Sequence, residues 1–291
     1  MSDPIARGIR AAQTGLLVNA GLAVAKLVAG VLGHSFALVA DAIESASDVF
    51  SSIIVWGGLH ISARSADDEY PFGYGKAEAL AAAIVGLALM GAAVGVAAQA
   101  IRGIVTPHLV PAPWTLAVLV VVVVVKETLY RRTRRVGAAV GSVAVQADAW
   151  HHRGDAITSL AAFVGIAIAV VGGPRWAAAD DWAALVASGV ILASGIAVLR
   201  PSVADLMDRA PDPAVVERIA GAARGATDVR AIEKLAVRKH GLAYYVDIHV
   251  QADPAMSLHD AHVVSGRVKG AIRDAVPAVA GTLVHMEPFE E

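Results

Sequence analysis

The sequence predicts an α-helical membrane protein: six transmembrane helices followed by a small α+β cytoplasmic domain of order α-β-β-α-β. Three observations predict it. The 291 residues are 56% hydrophobic and only 17% charged, against about 25% charged in an ordinary soluble domain. The apolar residues are gathered in long blocks, and the blocks stop near residue 205. After Pro201 the composition turns to that of a soluble module, so the chain divides into residues 1–205 and 206–291.

Each block in turn supports a helix. Gln13 to Gly33 is apolar except for Lys26 and Asn19, and Phe36 to Ala63 except for Asp41, Glu44, Asp48 and His60. Ala79 to Ile101 is a run of 23 residues without a charge, enough at helical rise to cross a hydrocarbon core of about 30 Å. Trp114 to Val125 is shorter, and Leu129 and Tyr130 extend it past Lys126 and Glu127. Its β-branched run Val118 to Val125 also fits a buried strand, but six apolar runs in series favour the membrane. Ala156 to Val171 and Ala183 to Leu199 complete the set. Met1 to Arg10 lacks the pattern of a cleavable signal, so the first helix is expected to be retained.

Basic residues set the orientation. Arg7, Arg10, Arg64, Lys76, Arg131, Arg132, Arg134, Arg135, Arg200 and Arg209 fall at alternate helix ends, whereas the other loops hold a single arginine, Arg175. Cytoplasmic loops carry the excess of Lys and Arg. Both termini are therefore expected inside the cell membrane, with His34 and His108 solvated in outside loops.

In the tail, Pro213 to Ala223 reads as a helix with proline in its first turn. Val229 to Arg238 and Ala243 to Val250 read as strands joined by a hairpin at Lys239-His240-Gly241. Ser257 caps a helix to Ala275, and Gly281 to Met286 is a last strand. Three strands leave open edges and one bare face, so pairing with a second copy is expected.

Composition also excludes functions. The chain has no cysteine, which removes disulfides, thiolate metal sites and cysteine nucleophiles. With 24 Lys and Arg against 26 Asp and Glu, no bulk charge invites nucleic acid. No G-x-x-x-x-G-K-[ST] phosphate loop is present, which is consistent with a function that needs no ATP.

The chemistry lies in a repeat. Ala40-Asp41-Ala42-Ile43-Glu44-Ser45-Ala46-Ser47-Asp48 and Ala147-Asp148-Ala149-Trp150-His151-His152-Arg153-Gly154-Asp155 share the pattern A-D-A-x-[E/H]-x-x-x-D at a constant offset of 107 residues. On a helix, positions i, i+3 and i+7 form one stripe. Asp41, Glu44 and Asp48 therefore project together, as do Asp148, His151 and Asp155. Ionisable groups at membrane depth cost roughly 3 kcal/mol each on insertion scales and mark functional paths. Facing stripes would offer Glu44, Asp48, His151 and Asp155 as four ligands, a set suited to a borderline-to-hard divalent cation, tetrahedral zinc included. The competing reading places these groups at helix ends as solvated or paired charges. His152 points about 100° from His151 and is expected at the interface or behind the ligands. Asp41 and Asp148 are expected to support the ligands, Lys26 to pair with a helix carboxylate or snorkel, and Asn19 to hydrogen-bond across helices.

At these residues the sequence resembles the cation diffusion facilitator family, proton-coupled exporters of zinc and similar divalent metals. Asp67-Asp68-Glu69-Tyr70-Pro71-Phe72-Gly73-Tyr74-Gly75-Lys76-Ala77-Glu78 is similar to that family's loop before helix three, and Leu206-Met207-Asp208-Arg209-Ala210-Pro211-Asp212 to the start of its tail. The resemblance implies Glu44, Asp48, His151 and Asp155 as the transport site, with zinc foremost and iron, manganese, cobalt or cadmium also possible as cargo. It implies a homodimer whose cytoplasmic domain binds metal near its interface through His249, His262, His285 and Glu287, with Glu233 a weaker fifth. Two departures stand out. Glu44 replaces the His or Asp common in zinc exporters, and Tyr70 and Tyr74 replace two histidines of a second zinc site, so that loop site is expected to be absent. The activity implied is divalent cation efflux by proton antiport through alternating access. A membrane metalloenzyme using Glu44 as base, and a metal-sensing receptor without transport, are the alternatives.

Overall fold

A computed structural model describes residues 4–106, 109–140, 143–241 and 243–290. Side chains at 4–13, 52, 55–56, 59, 137–140 and 143–151 lie outside the description. Six long helices come first: α1 Pro4–Leu32, α2 Phe36–Ser62, α3 Lys76–Val105, α4 Trp114–Val140, α5 Val143–Gly172 and α6 Ala178–Leu206. Then follow α7 Pro213–Arg224, β1 Ala231–His240, β2 Ala243–Ala252, α8 Leu258–Ala275 and β3 Val279–Pro288. The β-branched run Val118 to Val125 is helical. A lipid-facing segment has no water to satisfy its backbone, and only the helix meets that need within one segment.

Among the described residues, four stretches are long and apolar enough to cross a membrane: Thr14–Leu32, Lys76–Val105, His152–Trp176 and Ala178–Leu206. The helices α2 and α4 are as long, but they carry Asp41, Glu44 and Asp48, and Lys126, Glu127 and four arginines, respectively.

The chain forms two compact units, Met1–Ile54 with Val85–Val198, and Val55–Ile84 with Leu199–Glu291. The core of the first is built on small residues: Ala29, Ala37, Ala40, Ala100, Ala162 and Ala184 surround Leu38, Leu119 and Ile166. Small side chains let helices approach closely where lipid supplies no hydrophobic drive. A Cβ on Gly165 would lie 2.4 Å from that of Ala183, so α5 and α6 touch at backbone distance. Large apolar side chains such as Leu17, Val105 and Val171 point outward, a surface that a bilayer covers. The start of α2 is held by Asp180 of α6, which accepts from Ser35 Oγ and Phe36 N, each at 2.6 Å. Ser35 Oγ in turn accepts from Leu38 N at 3.1 Å. An anion there meets the unsatisfied amides and positive pole of the helix.

In the second unit β1 pairs antiparallel with β2, and β2 pairs parallel with β3 across the α8 crossover, in the order β1-β2-β3. A parallel pair requires such a crossover. Ile219, Val246, Ile248, Val250, Val264, Val268 and Ile272 form the core between the sheet and the α7/α8 layer. Asp212 and Ser257 cap α7 and α8. The strands β2 and β3 run longer than the sequence suggests, and β1 has the expected length but lies two residues further on. Lys239 and His240 remain paired in β1, and the hairpin turns at Gly241, whose φ is +63°.

The loop between α2 and α3 seats on this hairpin. Tyr245 donates to Phe72 O at 3.1 Å, and a Cβ on Gly75 would fall 2.3 Å from the His240 ring. Lys76 pairs with Asp208 at 3.0 Å, and Lys239 with Asp205 at 2.6 Å.

Candidate metal sites

The first site is assembled in the helical unit from α1, α2, α4 and α5. Glu44 and Asp48 lie half-buried on α2. Glu44 is close enough to Asp41, Asp48 and Asp155 to feel the charge of each. Its Oε2 is buried without a hydrogen-bond partner among the described residues. Asp155 is buried on α5. His151 and Asp148 are carried by the same helix, but their side chains lie outside the description, and so does His108.

Two buried lysines, neither exposed at all, neutralise this region. Lys26 of α1 contacts Asp41 at 2.8 Å, Ser45 at 2.9 Å and Ser159 at 3.0 Å. Ser159 also donates to Asp41, which ties α5 to α2. Lys26 thus pairs with a carboxylate, as the sequence suggests, and does not snorkel. Lys126 of α4 pairs with Asp155 and donates to Asn19 Oδ1 at 2.9 Å. The Asn19 bond across helices is as expected. Lys126 was missed, although a lysine set within an apolar run is itself the sign of a buried partner.

Of the two places expected for His152, the interface and behind the ligands, its burial fits the second. It is 1% exposed, and its Nε2 lies 3.0 Å from where a Cβ on Gly15 would be. The missing side chain at Gly15 makes room for the ring. His34 is exposed in the turn after α1.

The second site stands on the small sheet. Parallel pairing sets His249 of β2 beside His285 of β3, with Glu287 two residues on and on the same face. His249 Nδ1 lies 2.6 Å from Glu287 Oε1, and His285 Nε2 lies 3.5 Å from the same oxygen. One donor atom from each of the three falls within 4.8 Å of the others, and among the described residues this is the sole such cluster. Glu233 joins it through the bulge between Ile232 and Lys234, hydrogen-bonding Glu287. That bond, and the neighbouring charge of Glu287, raise the Glu233 carboxyl. The same bond, with His249, holds Glu287 below the usual range. Two carboxylates beside two imidazoles offer a divalent cation its donors in their deprotonated forms.

His262 is not brought to this cluster. It sits exposed on α8, because the helical turn that buries Val264, Val268 and Ile272 directs position 262 to solvent. His259 is likewise exposed, and His240 approaches Gly73 O at 3.3 Å.

In the loop before α3, Asp67 accepts from Tyr74 OH and Tyr70 N, each at 2.8 Å, and from Glu69 N at 3.1 Å. The tyrosine bond lowers the Asp67 carboxyl and raises the Tyr74 phenol. The loop spends its acid on its own turn, and the Tyr74 phenol lies further still from the ionised form that would bind zinc.

The family model for the cation efflux transmembrane domain matches residues 12–207, and that for the cation efflux protein cytoplasmic domain matches 211–289. The chain is 32% identical to the manganese efflux system protein MneP of Bacillus subtilis, over 97% of this chain and 96% of that protein. It is 32% identical to the magnetosome protein MamB of Magnetospirillum gryphiswaldense, over 90% and 88%. With metal tolerance protein 2 of Oryza sativa subsp. japonica it shares 31%, over 94% and 77%. Among solved structures, a nickel form of the MamM CTD is 25% identical, covering 27% of this chain and all of that one at a TM-score of 0.27.

Proposed function

The chain belongs to the cation diffusion facilitators, membrane transporters of divalent metal cations rather than enzymes, and from that premise we propose the finer reading. Six helices span the cell membrane with both termini in the cytoplasm. Glu44, Asp48, His151 and Asp155 hold the cargo, and the protein works as a homodimer. The observation that carries this is the placement of acids on facing helices: Glu44 and Asp48 on α2 and Asp155 on α5, with Ser159 bridging to Asp41.

Manganese(II) stands first among the cargoes, with iron(II) and zinc as competitors. Three carboxylates and one imidazole are a hard-to-borderline set that does not demand zinc, and a relative along nearly the whole chain is a manganese efflux protein. Proton antiport follows from the donors. A cation arriving from the cytoplasm meets deprotonated ligands, and protonation of His151, whose reference pKa is about 6.5, weakens its hold on the outward side. Metal flux into proteoliposomes under an imposed pH gradient tests this. Flux that follows the gradient supports antiport. Metal binding without flux is the behaviour of a sensor, and hydrolysis without flux that of a metalloenzyme.

Glu44→His replaces an oxygen donor by imidazole, which zinc prefers more strongly than manganese does. It is expected to shift the ratio of the two affinities toward zinc by about tenfold. Titration calorimetry reads this directly, and an unmoved ratio removes Glu44 from the ligand set.

The cytoplasmic cluster is proposed as a regulatory site, with the cation taking His249, His285 and Glu287 and drawing two copies together by cancelling their mutual repulsion. Since binding needs neutral imidazoles and a deprotonated Glu233, affinity is present at neutral pH and is lost as pH falls through about 6.5. In sedimentation of the full-length protein, metal is expected to favour the dimer. His249→Ala with His285→Ala is expected to abolish that response, and an intact response in this variant rejects the site.

A further inference from the structure

The two buried lysines of the helical unit are not equivalent. An ammonium has three protons to donate. Lys26 meets three acceptors, Asp41, Ser45 and Ser159, and so is fixed to a carboxylate outside the proposed ligand set. Among the described residues Lys126 meets two, Asn19 Oδ1 and Asp155, and Asp155 is a proposed ligand. Its neighbour Glu127 pairs instead with Arg131 on the exposed side, at 2.7 Å, so among the described residues Asp155 and Asn19 are the acceptors at the Lys126 head.

We propose that Lys126 is a tethered counter-cation of the transport site: its ammonium occupies Asp155 while the cargo is absent and withdraws toward Asn19 when the cargo binds. The inference rests on the transport-site reading above. A dication and an ammonium compete for one carboxylate, since both require its oxygen at contact distance and repel each other there. When the cargo departs, the returning ammonium restores neutrality in a site that would otherwise leave a buried carboxylate uncompensated. Lys126 therefore weakens binding and eases release, and Asn19 sets how readily the ammonium stands aside.

The two residues that flank this exchange give opposite signs. In full-length protein carrying His249→Ala and His285→Ala, which removes the cytoplasmic cluster, manganese binding is measured by titration calorimetry and flux in proteoliposomes. Lys126→Met is expected to tighten binding by about tenfold or more, to lower the half-saturating metal concentration and to reduce maximal flux. Asn19→Leu withdraws the resting place and is expected to weaken binding several-fold. A purely structural role for Lys126 would instead weaken binding in both. Unchanged or weaker binding in a folded Lys126→Met protein overturns the proposal. Should that variant not fold, Lys126→Gln, which removes the charge and keeps a polar chain end, decides: tighter binding supports the proposal and unchanged or weaker binding overturns it. Asp155→Asn serves as the separate check on the underlying site. If it binds manganese as the parent does, the transport-site assignment fails, whereas loss of binding there with no tightening in Lys126→Met defeats the counter-cation alone.

Discussion

Asp155→Ala is expected to abolish metal flux and to lower thermal stability together. The first effect follows from removing one charged donor of four and leaving an open position in the proposed site. The second follows from Lys126, which is wholly buried and paired with Asp155. Removing one partner of a buried ion pair strands the other, at a cost of about 3–5 kcal/mol. The double variant Lys126→Met with Asp155→Ala is therefore expected to regain most of the stability and none of the flux. That combination separates a ligand from a structural acid. Wild-type flux from a folded Asp155→Ala protein rejects the site, and His34→Ala, in an exposed turn, is expected to be silent.

Asp180→Ala is expected to destabilise the helical unit by roughly 3 kcal/mol, because a buried charged acceptor of several hydrogen bonds is lost. Asp180 is fully buried and accepts from Ser35 Oγ and from Phe36 N, with Ala37 N at 3.4 Å. Alanine leaves those donors without an acceptor at the first turn of α2, the helix that carries Glu44 and Asp48. Asp180→Asn retains one acceptor and is expected to lose less. Thermal unfolding in detergent measures both, and an alanine variant that melts with the parent protein contradicts the capping role.

The long helices and the order of the tail were legible because both are written in local pattern. Apolar runs of bilayer length admit one backbone solution, and Pro213, Ser257 and Gly241 sit where helix starts and a hairpin turn require them. The A-D-A-x-[E/H]-x-x-x-D repeat singled out Glu44, Asp48, His151 and Asp155 as the proposed ligands by their shared spacing. His249, His285 and Glu287 needed only the strand alternation and a pairing to come together, and the sheet supplies that pairing.

Other features depended on contacts between residues far apart in the chain. His262 was grouped with the cytoplasmic cluster, but the packing of α8 turns it to solvent, because burial of Val264, Val268 and Ile272 fixes the helix rotation. His152 was expected at the interface or behind the ligands, and the berth that Gly15 of α1 gives its ring decides for burial. The partner of Lys126 lies 29 residues away and that of Ser35 lies 145 away. No window of sequence contains either pair. Sequence alone determined that this chain builds long apolar helices with acids set along them at helical spacing, since hydrophobicity and helical period are properties of each segment by itself. Tertiary structure alone decided which cation answers each acid, because charges buried in a low-dielectric interior are settled by whichever neighbour the packing brings within reach.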